Sequence, residues 1–218
     1  MPGLPYRIAV HFAAEKLLSL FTRTTYKAQP MKISSYTNYI TVDTDLYLRL
    51  ATVEDAPFLY RLIDTHRAYL REWLPFIDFS QSVLDTKAYL RAVTDSKNTA
   101  EEVYVILYQK SVAGIIGFKE IDYVNRRAEV GYWLSGDLQG QGIMRRSCSA
   151  LLQYAFGEMG LNRIQIKTGT GNHRSSNIPK KLGFTLEGVQ RDGEYLNGRF
   201  HDLEVYSLLQ REWLQQER

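Results

Sequence analysis

The most constraining stretch of this chain is Gly131-Tyr132-Trp133-Leu134-Ser135-Gly136-Asp137-Leu138-Gln139-Gly140-Gln141-Gly142-Ile143-Met144. It predicts a strand over residues 128–134 that passes through a turn into a long helix. The glycines at 136, 140 and 142 loosen the backbone of the turn, and Met144, Cys148, Leu151, Leu152, Ala155 and Phe156 recur at helical spacing after it. A helix that starts directly after glycines offers unpaired N–H groups at the positive end of its dipole, with no Cβ to hold an anion away. A pyrophosphate suits such a terminus. The spacing is neither a P-loop, since no Gly-Lys-Ser/Thr follows, nor the Gly-x-Gly-x-x-Gly of a dinucleotide fold. A glycine-containing loop without a ligand is the other reading.

Around this segment strand and helix signals alternate from about residue 39, which points to an α/β or α+β domain and away from a bundle or a sandwich. Residues 46–50 alternate like a strand, and Thr52-Val53-Glu54-Asp55 resembles a capping box that opens a helix running to about Asp64. Further helices are predicted over residues 66–73, stopped by Pro75, and over residues 83–96. Residues 102–108 and 112–122 read as a hairpin, residues 163–168 as a strand, and residues 185–191 and 200–209 as antiparallel strands joined by a loop at 192–199.

Composition narrows the partners. The chain has 218 residues, 44% of them hydrophobic, enough for a real core, and a net charge of only +3 gives no nucleic-acid stripe. The single cysteine, Cys148, has no intrachain partner, and His11, His66, His173 and His201 have no metal-ligand spacing, so no metal is expected and a reducing, cytoplasmic setting is the default. Residues 8–21 are apolar-rich, but His11, Glu15 and Lys16 interrupt them and they are too short to span a bilayer. Met31-Lys32-Ile33 reads like a second start. Residues 1–30 are therefore read as an N-terminal extension or expression artefact, or else as a short amphipathic appendage with Leu17, Leu18 and Phe21 on its apolar face, and residues 31–218 as a single domain.

Three blocks together resemble the GNAT acetyltransferase superfamily, within it the RimJ/RimL type of ribosomal-protein N-terminal acetyltransferase. They are Ala128-Glu129-Val130-Gly131-Tyr132-Trp133-Leu134 leading into Gln139-Gly140-Gln141-Gly142; Asn172-His173-Arg174-Ser175-Ser176-Asn177-Ile178-Pro179-Lys180-Lys181-Leu182-Gly183-Phe184; and Leu196-Asn197-Gly198-Arg199-Phe200-His201-Asp202. The resemblance covers roughly residues 40–212. It implies an α/β (α+β) fold with a mixed, centrally splayed β-sheet of about six or seven strands and helices on both faces. It also implies acetyl-CoA as co-substrate. Backbone groups of Trp133 and Leu134 would hold the pantetheine arm, and amides of Gln139, Gly140, Gln141, Gly142, Ile143 and Met144 the pyrophosphate, with Asn172 gripping the arm from the other side and Ser175 also at the cofactor. Met144 stands where the superfamily has a small residue. Arg145 and Arg146, in the first turn of a helix whose dipole opposes cations, either meet phosphate charge or are plainly solvated.

The implied chemistry needs a neutral amine, a stabilised oxyanion and a proton for the departing thiolate. The superfamily often takes that proton from a tyrosine at a position occupied here by Pro179, and the resemblance passes the role to Ser175, with Ser176 as the alternative and an N-cap as the plain one. Alternation in Phe118-Lys119-Glu120-Ile121-Asp122 sets Glu120 and Asp122 on the face of Phe118, and Glu120 is the expected base. An α-amine of pKa about 7.7 is neutral to roughly one part in six at pH 7, a lysine near 10.4 to only a few parts in ten thousand. The lack of an obvious base thus fits an N-terminal acceptor better than a lysine. Tyr195, Asn197 and His201 are expected to line the acceptor groove, with Tyr36, Tyr39 and the Trp73-Leu74-Pro75-Phe76 loop adding aromatic surface. The expected acceptor is a protein N-terminus such as that of a ribosomal protein. A small amine and a CoA-binding module without turnover are the alternatives, and the chain is expected to be a monomer or homodimer with no membrane or nucleic-acid partner.

Overall fold

In the computed structural model the chain divides into two units, Met1–Tyr36 and Thr37–Arg218. The structure describes residues 39–216, all within the second unit. The readings of residues 1–30 and of Tyr36 lie outside the described residues.

In chain order the elements are β1 (Tyr39–Thr41), β2 (Leu46–Leu50), α1 (Ala56–Thr65), α2 (Arg67–Arg71), α3 (Val83–Val93), β3 (Glu102–Tyr108), β4 (Ser111–Asp122), β5 (Arg127–Leu134), α4 (Ile143–Gly157), β6 (Arg163–Gly169), α5 (His173–Lys181), β7 (Thr185–Leu196), β8 (Arg199–Leu209) and α6 (Gln210–Gln216). The predicted capping box is present: the Thr52 N–H donates to Asp55 Oδ2 at 2.8 Å, and a 3-10 turn over Val53–Asp55 leads into α1. Gln109 and Lys110, with φ of 48° and 66°, close the β3–β4 hairpin in two residues, the left-handed geometry that matches the twist of the flanking strands.

The strands form one sheet in the order β1-β2-β3-β4-β5-β6-β8-β7. Among the described residues eight strands stand where six or seven were expected, the addition being the three-residue β1 paired with β2. Successive residues of β3 point to opposite faces, so Tyr104 and Ile106 enter one core with α4 and Trp213 of α6, while Val103 and Val105 enter another with α1, α2 and α3. Each face is therefore apolar and covered. Leu151, fully buried at the centre of α4, anchors the first core, and its truncation to alanine costs about 2–5 kcal/mol.

The feature that positions the site is the junction of β5 and β6, the parallel pair of the sheet. They pair only at Arg127 with Arg163, Ala128 with Ile164 and Glu129 with Gln165. Beyond that point β5 continues beside β4 to Leu134 and β6 beside β8 to Gly169, so the two strands part and leave facing edges with no strand partner among the described residues. The sheet is splayed at its centre, as expected.

Candidate active site

A cleft of about 1240 Å³ opens where β5 and β6 part. That exceeds the roughly 300–1,000 Å³ of a usual small-molecule pocket and leaves room for two ligands side by side. The four residues Trp73, Leu74, Pro75 and Phe76 line it, and the Trp73 ring closes on β6 so tightly that a Cβ on Gly169 would lie 3.3 Å from it.

Strand geometry decides which backbone groups face the gap. The Ser135 N–H donates to the Ala113 carbonyl at 2.8 Å, and Trp133 lies opposite Ile115 in the same unbroken register. In an antiparallel pair alternate residues turn both polar groups to the same neighbour. Trp133 therefore faces β4, and Tyr132 and Leu134 present their amides and carbonyls to the gap. Leu134 lies on this edge and lines the cleft. Trp133 also lines the cleft, but its backbone is turned toward β4 and its side chain is buried in the core with α1 to α3, where Nε1 has no hydrogen-bond partner among the described residues.

At the turn, Gly140 and Gly142 have φ of 75° and 74°, a region that side-chain-bearing residues avoid, and a Cβ on either would meet nothing within 4 Å. The glycines are thus required by conformation and leave open space before the helix. Gly142 caps α4 with no side-chain bond, so the first amides of α4 keep their donors for a ligand. The Ile143 and Met144 side chains are buried in the core, so Met144 does not crowd the turn. Gln139 is held on both sides, its Nε2 donating to Tyr69 Oη and its Oε1 accepting from Arg174 Nη1, whereas Gln141 only reaches back to the Asp137 carbonyl at 3.4 Å. The two arginines divide. Arg145 lines the cleft, but Arg146 turns away to pair with Asp43 and Asp45 and to stand 5.9 Å above the Tyr108 ring. His66, which the sequence reading left without a role, pins the segment before the turn, its Nε2 lying 3.0 Å from Ser135 Oγ and 3.4 Å from Asp137 Oδ2.

On the other side of the gap Asn172 is the N-cap of α5, and its Oδ1 accepts the Ser175 N–H at 3.1 Å. Both Asn172 and Ser175 line the cleft. Ser176 is buried, with Lys180 Nζ 3.4 Å from its Oγ, so of the two serines Ser175 is the one that faces the cleft. Ser175 Oγ lies 3.3 Å from the hydroxyl of Tyr132.

The carboxylates are arranged otherwise than the alternation predicted. A bulge breaks the β4–β5 register between Lys119 and Asp122, and Glu120 sits on it at φ 54°. Glu120 still borders the cleft but is exposed and off the Phe118 face, and Asp122 leaves it to bond the Asn125 N–H at 2.8 Å. Two other glutamates stand deeper. Glu129 is 4% exposed, at the last residue before the strands part, with Lys119 Nζ at 2.7 Å and Lys167 Nζ at 3.2 Å. Burial pushes its pKa up, yet the two lysines outweigh that and hold it below the usual carboxylate range. Glu194, on β7, lines the cleft half-buried; burial raises its pKa above the usual value, and the charge of Glu129 adds to the rise against Lys119 and His201. Only its position three places before the Asn197-Gly198 turn signalled it, and that spacing is not read without the strand pairing.

The three residues expected at the acceptor groove do not line the cleft. The β7–β8 strands run on to Leu196 and Arg199 and turn tightly through Asn197 (φ 53°) and Gly198 (φ 79°), so the predicted loop at 192–199 is mostly strand. Tyr195 is exposed and packs edge-on against Phe200, with centroids 5.0 Å apart. Asn197 Nδ2 donates to the Arg71 carbonyl at 3.1 Å, tying the hairpin to α2. His201 Nε2 accepts from Arg199 Nε at 3.1 Å. Gly193, Glu194 and Leu203 are the hairpin residues that reach the cleft.

An extended gap between parted parallel strands, ending on a glycine-started helix without a side-chain cap, suits an elongated donor that carries phosphates at one end and a reactive group at the other. That combination defines an acyltransferase using coenzyme A. The match of the family described as acetyltransferase (GNAT) domain to residues 45–185 makes it particular: the chain belongs to the GNAT acetyltransferases. It is 38% identical over 176 residues to YdaF of Bacillus subtilis (strain 168), covering 79% of this chain and 95% of that protein. It is 30% identical over 172 residues to the ribosomal-protein-serine acetyltransferase of Escherichia coli (strain K12), covering 78% and 96%. Among solved structures, RimL, the ribosomal L7/L12 alpha-N-protein acetyltransferase in complex with coenzyme A, superposes with a TM-score of 0.76 at 32% identity, covering 78% of this chain and 97% of that one. The protein is an acetyl-CoA-dependent N-acetyltransferase. No helix of the described residues is long and apolar enough to cross a membrane.

Proposed function

We propose that this enzyme acetylates the α-amine at the N-terminus of a protein, of the ribosomal-protein kind, in the cytoplasm. The observation that carries the reading is the charge balance of the cleft. Among the described residues five carboxylates border it (Glu72, Glu101, Glu120, Glu129 and Glu194) against five cations (Lys119, Arg145, Lys167, Arg174 and Lys181). A polyamine or aminoglycoside needs an excess of carboxylates to offset several charges, and this cleft has none. A single α-amine on an otherwise ordinary peptide needs only one. The names of the Escherichia coli relative and of the RimL structure point to the same class of acceptor.

In this reading the amides from Gln139 to Met144 hold the pyrophosphate and the Tyr132 and Leu134 edge holds the pantetheine arm. Acetyl-CoA supplies an activated thioester. Glu194 replaces Glu120 as the base: its raised pKa brings it closer to that of an α-amine, so it accepts the proton that the amine sheds as the N–C bond forms. Ser175 faces the sulfur as the C–S bond breaks. Asn172 acts through Ser175, as its cap, in addition to any contact with the arm.

Thiol release from acetyl-CoA, measured against a panel of N-terminal peptides, spermidine and aminoglycosides, tests the acceptor. Turnover on peptides at least tenfold above the small amines is expected. Preference for spermidine sinks the reading, as does acetyl-CoA binding without turnover on any amine.

A further inference from the structure

Proline 179 stands inside α5, four residues after Ser175. In an α-helix the carbonyl of Ser175 takes its bond from the N–H of residue 179. Proline has no N–H, and its ring crowds that same carbonyl. Ser175 is thus left with a carbonyl that the helix cannot satisfy, in the first turn, where its own N–H is already held by the Asn172 cap. The donor comes from another element. The Tyr132 hydroxyl, on β5, donates to the Ser175 carbonyl at 3.2 Å.

That bond fixes a direction. A phenol has one proton, and a carbonyl can only accept, so the Tyr132 oxygen turns lone pairs to its other neighbour, Ser175 Oγ, 3.3 Å away. Ser175 is therefore the donor in the second bond. We propose that Tyr132 is the positioning residue for Ser175 and that Pro179, by orphaning the Ser175 carbonyl, is what recruits it. The inference rests on the reading of Ser175 as the group facing the sulfur. Burial raises the Tyr132 pKa and keeps it a neutral phenol, a weak acceptor that yields the serine proton to a charged one.

The consequence for the reaction differs from simple proton donation. As the amine forms the N–C bond, the C–S electron pair leaves on sulfur and the amine proton passes to Glu194. A thiol near pKa 8.5 is far more acidic than an aliphatic alcohol, so Ser175 keeps its proton and gives the thiolate a hydrogen bond. Tyr132 holds that hydroxyl at the gap before the bond breaks.

The experiment compares Tyr132→Phe, Ser175→Ala, the two combined, and Tyr132→Phe with Pro179→Ala, by steady-state thiol release and thermal melting. Tyr132→Phe is expected to lower kcat on the order of tenfold with KM for acetyl-CoA within about twofold, and to lower the Tm. Pro179→Ala gives the Ser175 carbonyl an N–H, so in the combined variant the Tm recovers and kcat does not. The Tyr132/Ser175 double variant is expected to be no slower than Ser175→Ala alone. Wild-type kcat in Tyr132→Phe with a slow Ser175→Ala overturns the inference, as does a kcat that recovers together with the Tm. Full activity in Ser175→Ala sinks the underlying reading of Ser175, and the inference with it.

Discussion

The two walls of the cleft are made in different ways. In the proposed reading the cofactor wall is backbone: the edge at Tyr132 and Leu134, the turn at Gly140 and Gly142, and the start of α4. The acceptor wall of that reading is side chains brought from distant segments, with Glu129 from β5, Lys167 from β6, Glu194 from β7 and Trp73 from the segment after α2 lining the cleft. A backbone wall accepts nearly any side chains provided the conformation is kept, and it fails when a residue cannot adopt that conformation. A side-chain wall fails one group at a time and leaves the donor bound.

The largest effect therefore belongs to the turn. Gly142→Val puts a β-branched residue at φ 74° and fills the space before the helix, and acetyl-CoA affinity should drop about a hundredfold by calorimetry while the circular dichroism spectrum stays native. A variant that binds normally would show that the backbone wall is not what holds the phosphates. Next comes Glu194→Gln, expected to lower kcat about a hundredfold with KM for acetyl-CoA within about twofold. A base works deprotonated, and the pKa of Glu194 is raised, so the wild-type rate should fall with acid at a pH above the usual carboxylate range. The glutamine variant should lose that limb of the pH profile. Retention of the limb would move the base elsewhere.

Smaller again is Glu129→Gln, which leaves Lys119 and Lys167 facing each other across a buried neutral group. Because the Lys119 side chain is half exposed, the loss is held to about 1–2 kcal/mol of stability, read from denaturant unfolding. The smallest effect is expected at Tyr195→Ala, which removes a ring outside the cleft and should change kcat/KM for a peptide by less than about threefold. A large loss there would extend the acceptor wall out along the hairpin and undo the boundary drawn at Glu194.

The same contrast explains what the sequence made legible. The turn was readable because glycine spacing after a strand and before an apolar helical repeat is local information, and so were the positions of the seven longer strands along the chain. Asn172 and Ser175 stand three residues apart in the chain, and their capping bond is local as well. Which way the Trp133 backbone faces was not legible, because its side of β5 depends on the register with β4, seen in the Ser135 bond to Ala113. Glu120 was misread because a single left-handed residue reversed the alternation that had placed it. Tyr195, Asn197 and His201 were placed as though a loop carried them, whereas the Asn197-Gly198 turn continues the strands and moves the cleft-facing positions back to Gly193 and Glu194. The bond between Tyr132 and Ser175 joins residues 43 apart in the chain, and a proline in a helix gave no hint of which donor would replace its missing N–H.

The most direct test of the account is to map acetyl groups by mass spectrometry on a peptide that has both a free α-amine and an internal lysine, after incubation with the enzyme and acetyl-CoA. The account predicts acetylation of the α-amine and an unmodified lysine side chain; acetyl groups on the lysine with a free N-terminus would contradict it.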